Sequence, residues 1–112
     1  GIKALLPALV FAFLQTGFSE ELFFRGFIGK RLINQFNFAM GNALQGLIFG
    51  LVHGLMFFSS AGITGAIMIT INTSLLGWLM GYINEKLSEG SILPSWLLHG
   101  TMNTLASLFV MF

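Results

Sequence analysis

A chain of 112 residues allows one domain. Hydrophobic residues make up 55% of it and charged residues only 8%, against about a quarter in a soluble domain, so polar side chains cannot cover a water-facing surface. The formal net charge of +1 without a basic tract argues against a nucleic-acid partner, and the absence of cysteine excludes disulfides, thiolate metal sites and a thiol nucleophile.

The pattern predicts an all-α, multi-pass membrane bundle of about four transmembrane helices, with 1–112 as a single domain. The first apolar helix runs from about Ala4 to Ile33. At about 30 residues it is too long to cross a hydrocarbon core of roughly 30 Å upright, so it must tilt, bend near Gly17 or continue into the interface. Its opening stretch, Leu5 to Phe18, is followed by Glu20-Glu21 and further apolar sequence rather than by a small-residue cleavage site, which argues against a signal peptide. The second helix is expected from about Phe38 to Phe57, the third from about Ile63 to Lys86, and the fourth from about Pro94 to Met111. Asn34–Asn37, Ser59–Gly62 and Ser88–Ser91 supply the breaks, and Pro94 sits near a first turn, where its missing N–H costs nothing. Because the chain opens on Gly1, it is expected to be the core of a longer protein, without flanking helices.

Short connections make neighbouring helices antiparallel. Lys30, Arg31 and Lys86 lie at the first and third junctions, and the second junction carries no charge. The positive-inside rule then places the 34–37 and 87–93 loops in the cytoplasm, with Lys3 as the one contrary charge. Gly46, Gly50 and Gly54 on the second helix, and Gly77 and Gly81 on the third, are expected to let backbones approach closely.

Ionisable groups at membrane depth cost at least about 2.5–3.5 kcal/mol and each needs a reason. Glu20, Glu21 and Arg25 fall in the first helix, His53 in the second and His99 in the fourth. Glu21 and Arg25 are four apart and can pair, which fits a structural role, while Glu20 points about 100° away and has no partner on its own helix. His99 and Asn103 share a face, continued by Trp96 and Ser107, with Leu98, Met102, Leu105 and Phe109 free to face lipid. Phe49 lies one turn from His53 and can pack beside the imidazole. A single membrane histidine can be hydrogen-bonded glue; two of them, with an asparagine and a spare carboxylate on three helices, point to chemistry.

The order E-E-x-x-x-R, F-x-x-x-H, H-x-x-x-N, each inside an apolar helix, resembles the CAAX protease and bacteriocin-processing (CPBP) family, which includes the type II CAAX prenyl endopeptidases. That resemblance implies an intramembrane endopeptidase. Glu20 and His53 would activate water, His99 and Asn103 would stabilise the oxyanion, and Glu21, Arg25 and Phe49 would support the site. The family is commonly named a metalloprotease, and Glu20, His53 and His99 would form a His₂Glu zinc set. The metal-free reading is preferred, because it gives each polar residue a separate task. The implied partners are the bilayer and a protein or peptide substrate: a prenylated protein, a bacteriocin leader or a membrane-anchored regulator. The implied location is the plasma membrane of a bacterium. Rival readings are a non-catalytic immunity or binding protein of the same fold, a bis-histidine haem electron carrier using His53 and His99, and ion transport. Counting 1.5 Å per residue from the cytoplasmic ends puts His99 roughly 6–8 Å deep and His53 roughly 20 Å deep. That gap shrinks if the second helix enters lipid only near Asn42 or Gln45.

Overall fold

A computed structural model describes residues 2–111, with side chains described as far as residue 106. Among the described residues the chain is four helices and no strand: α1 (Ile2–Gln35), α2 (Phe38–Met56), α3 (Phe58–Leu87) and α4 (Leu93–Met111). The first three are long and apolar enough to cross a membrane. The expected bundle of about four helices is present, and α4 is the one whose described part carries His99, Thr101, Asn103 and Thr104.

The distribution of side chains is the reverse of a water-soluble protein. Leu6, Leu55 and Leu105 are 70%, 76% and 62% exposed, while Glu21, Asn42, Gln45 and Asn84 are at most 1% exposed. In lipid, apolar surface costs nothing and polar groups must be satisfied internally, so buried polar residues share the interior with an apolar cluster of Phe24, Phe49 and Met80.

The 34 residues of α1 amount to about 50 Å at 1.5 Å per residue. The helix runs through Gly17 without interruption, and its winding loosens into π-helical stretches at Phe11–Phe18 and Leu22–Ile28, on either side of Ser19–Glu21. Gly17 is instead a contact: a Cβ there would collide with the Ala12 carbonyl and come within 3.4 Å of the Gly100 Cα on α4. Such π turns are frequent at functional sites.

The turn into α2 is capped by the Asn37 side chain, which accepts from the Met40 N–H at 2.8 Å. Where Ser59–Gly62 was expected as a loop, Phe58 to Ala61 already forms a helical turn, and the reversal is concentrated at Gly62 (φ 74°, ψ 179°), a conformation essentially confined to glycine. The expected glycine stripe on α2 then meets α3. A Cβ at Gly50 would collide with the Ser74 side chain, one at Gly54 with the Thr70 hydroxyl, and one at Gly46 would lie 3.0 Å from the Ser74 carbonyl.

Asn42 and Gln45, the polar residues near the start of α2, face α3. Both are buried in the α2–α3 seam: Asn42 Nδ2 donates to the Trp78 carbonyl (3.0 Å), and Gln45 Nε2 donates to Asn42 Oδ1 (2.9 Å) and the Gly77 carbonyl (2.7 Å). The start of α4 is fixed to α3 by a reciprocal pair, Asn84 Nδ2 to Ser95 Oγ (2.7 Å) and Ser95 N–H to Asn84 Oδ1 (3.2 Å). Lys30 of α1 reaches Glu85 and the Gly90 carbonyl, each at 2.5 Å, so the first and third junctions lie at one end of the bundle.

Candidate active site

Glu21 is fully buried on α1, between two donors on different helices. Arg25, one turn on, approaches Glu21 Oε2 at 3.0 Å, and His99 Nδ1 approaches the same oxygen at 2.6 Å. The expected Glu21–Arg25 pair is present. Arg25 is 3% exposed; its guanidinium lies 4.1 Å above the Phe49 ring, and Nη2 is 3.8 Å from Met80 Sδ. Glu20 has no partner on its own helix, yet it is not spare: His99 Nε2 lies 2.9 Å from its Oε1.

Both nitrogens of His99 therefore face carboxylates. Ionised carboxylates only accept hydrogen bonds, so an imidazole with N–H on both nitrogens satisfies both. Glu20, Glu21, Arg25 and that imidazolium sum to zero charge, the arrangement that least disfavours burial in a low dielectric. Glu20 is the accessible member, its side chain 26% exposed against 0% for Glu21.

His53 lies on the other side of Phe49. Its Nδ1–H donates to the Phe49 carbonyl one turn back, at 2.8 Å. The carbonyl can only accept, which places a proton on Nδ1, so that in the neutral imidazole Nε2 is the nitrogen with the lone pair. The Phe49 ring is 4.3 Å from the His53 ring and meets the His99 ring edge-to-face at 5.9 Å. Helical side chains lean toward the N-terminus, so His53 leans back toward Phe49. The difference in depth counted along the helices does not keep the two histidines apart. Phe49, His53, His99 and Asn103 line one cavity of about 130 Å³, closed by Thr73, Leu76, Met80 and Met102. The Asn103 amide nitrogen is buried and has no hydrogen-bond partner among the described residues. Glu20 is not in the cavity wall and connects to it through His99. A larger cavity, about 280 Å³ between α2 and α3, is lined by Leu51, Leu55, Phe58, Ile63 and Ile67 among others, with Thr70 as its one polar side chain. The Thr70 hydroxyl is already bonded to the Ala66 carbonyl, so that cavity has no group suited to catalysis.

Comparison with known families matches residues 2–105 to the model described as type II CAAX prenyl endopeptidase Rce1-like. The chain belongs to that family. No curated protein and no solved structure matches the chain.

The Rce1-like family is one of membrane-embedded CAAX-type peptidases. Its matched region contains Glu20-Glu21-x-x-x-Arg25, Phe49-x-x-x-His53 and His99-x-x-x-Asn103, and the fold brings these three segments around a single centre. As arranged, Glu20, His53 and His99 do not fit a zinc ion. His99 has both nitrogens engaged by carboxylates, and among the described residues no three His, Asp or Glu side chains converge as a ligand set. A bis-histidine haem fits no better, since about 130 Å³ falls below the roughly 300 Å³ at which small-molecule pockets begin.

The structure adds Thr73 on α3 and Trp96 on α4, which sequence reasoning either missed or assigned to a face without a partner. The Trp96 indole N–H donates to the Phe13 carbonyl at 2.6 Å, and its ring packs edge-on against Phe18 at 5.6 Å. Met102, expected at the lipid face, also closes the cavity. The Ser107 and Phe109 assignments lie outside the described side chains.

Proposed function

We propose that this Rce1-like chain is an intramembrane endopeptidase that cleaves a membrane-anchored protein by attack of a water molecule. The observation that carries the reading is His99, held between Glu20 and Glu21 beside a cavity that also presents the His53 imidazole and the Asn103 amide.

Glu20 Oε1 holds His99, leaving the second carboxylate oxygen to receive a proton, while the His53 Nε2 lone pair accepts from the same water and orients it. The water oxygen bonds to the scissile carbonyl carbon as one of its protons passes to Glu20. Negative charge thus leaves the carboxylate and appears on the carbonyl oxygen. The His99 Nε2–H, released from its carboxylate partner, follows that charge, and the Asn103 N–H joins it, giving two donors for the oxyanion. Collapse breaks the C–N bond, and Glu20 returns its proton to the leaving nitrogen. Glu21 and Arg25 touch no reacting atom in this scheme: they hold His99 in register. No metal takes part in it. The end of the bundle carrying Lys30, Arg31 and Lys86 faces the cytoplasm.

The test is cleavage profiling of membrane proteins with the wild-type protein against Glu20→Gln. Products that depend on Glu20, with helical content and detergent-solubilised behaviour unchanged, are expected. Full activity of Glu20→Gln would sink the mechanism.

A further inference from the structure

A peptide bond brings two hydrogen-bonding groups into the cavity, a carbonyl that needs donors and an N–H that needs an acceptor. The proposed mechanism supplies His99 and Asn103 to the carbonyl and assigns the His53 lone pair to water. Turned so that its N–H meets the oxyanion, the Asn103 amide directs its oxygen away. The remaining walls are Phe49, Leu76, Met80 and Met102, which accept nothing useful, and Thr73.

Thr73 comes from α3, the one helix that contributes none of the three sequence motifs. Its hydroxyl donates to the Ile69 carbonyl at 2.6 Å, one turn back. The hydroxyl proton is thereby committed within the helix, and the oxygen retains lone-pair capacity for a second partner. A buried N–H left without an acceptor costs about 1–3 kcal/mol, so a site built to cleave amides in an apolar setting benefits from such an acceptor.

We propose that Thr73 is a further catalytic residue, whose hydroxyl oxygen accepts the N–H of the scissile peptide bond; the assignment rests on the endopeptidase reading. Thr73 therefore reads the leaving-group side of the substrate, opposite the oxyanion donors, and makes the site selective for amides over esters of the same sequence.

The experiment uses the membrane-embedded protein and a peptide that the wild-type protein cleaves, alongside the matched depsipeptide in which an ester oxygen replaces the scissile N–H. Thr73→Val keeps the shape and removes the acceptor, Thr73→Ser retains it, and Thr73→Ala provides a second hydroxyl-free variant should Val pack poorly. For the amide, kcat/KM should fall roughly ten- to a hundredfold in Thr73→Val and Thr73→Ala, the equivalent of one unsatisfied N–H, and stay near wild type in Thr73→Ser. For the ester, which has no proton to donate, wild type and all three variants should hydrolyse at similar rates. Undiminished amide cleavage by the hydroxyl-free variants, or an equal loss on amide and ester, overturns the assignment. Glu20→Gln run in parallel separates the two levels. If it abolishes hydrolysis of both substrates while Thr73→Val leaves amide cleavage intact, only the role of Thr73 fails. If Glu20→Gln stays active, the endopeptidase mechanism falls and takes this assignment with it.

Discussion

Replacing Arg25 by Met removes a charge from a place where nothing can substitute for it. Arg25 is 3% exposed, and its partner Glu21 is 0% exposed, so water cannot take over. Breaking a buried ion pair from one side costs about 3–5 kcal/mol, because the other charge is left uncompensated. Here the lower end applies, since Glu21 Oε2 keeps its 2.6 Å contact with His99 Nδ1. A loss of about 3 kcal/mol lowers the folded-to-unfolded ratio by more than a hundredfold. The four-group cluster passes from zero to one net negative charge, and Glu21→Gln added to Arg25→Met returns it to zero. The double variant should therefore regain at least about 1 kcal/mol over the single, a coupling within the usual range for residues in contact. Equilibrium unfolding in detergent micelles, followed by circular dichroism, measures both differences. Arg25→Met within about 0.5 kcal/mol of wild type, or a double variant less stable than Arg25→Met alone, would refute the reasoning.

His99→Ala and Asn103→Ala should each slow cleavage by roughly 10²–10³-fold, the scale for one lost oxyanion donor, without abolishing the dependence on Glu20; kcat measured for the single variants and for each combined with Glu20→Gln checks this. Active enzyme should carry substoichiometric metal by elemental analysis and survive chelation; one tightly held zinc per chain, lost together with activity, would show that the site rearranges into a ligand set. Gly50→Val should lower the unfolding midpoint and the folded yield, because a Cβ there already collides with the Ser74 side chain, whereas Gly26→Ala, whose Cβ would meet only ordinary contacts such as Leu22 at 3.4 Å, should change neither. As the chain has no cysteine, single cysteines at Gln35 and Ser91 should be labelled by a membrane-impermeant thiol reagent from the cytoplasmic side, and one at Ser60 only from the opposite side.

The fold was legible where chemistry leaves a periodic trace. Composition alone requires a membrane bundle, and the glycine stripe on α2 announces the α2–α3 contact because only small residues tolerate such proximity in lipid. Pairing within a helix was legible for the same reason: Glu21 and Arg25 are four apart on a repeat of about 3.6 residues. Contacts between helices leave no such trace. Nothing in the order of residues shows that His99 is held by both Glu20 and Glu21, because that depends on the rotation and height of α4. Asn42 and Gln45 suggested only a point of entry into lipid and Asn84 and Ser95 suggested nothing, although the four form the polar seam that positions α3 and α4. Thr73 was illegible for a different reason: a threonine in a membrane helix can satisfy its hydroxyl on its own backbone, so its presence raises no demand that the sequence must answer. Of the alternatives open for the long first helix, the sequence could not show that Gly17 is a contact with α4, since a contact glycine and a hinge glycine look alike in an apolar run.

The Phe49 ring between His53 and His99 has a consequence for proton traffic. An aromatic ring carries no exchangeable hydrogen and admits no water where it packs, so a proton on one imidazole cannot hop to the other along the direct line. In the proposed scheme the two histidines hold opposite roles, His53 accepting from the water and His99 donating to the oxyanion. A relay between them would let His53 drain the charge that neutralises Glu20 and Glu21. Phe49 thus closes the direct path and leaves the cavity that both imidazoles line as the route between them, so a smaller residue there would open a shorter path that bypasses the catalytic water.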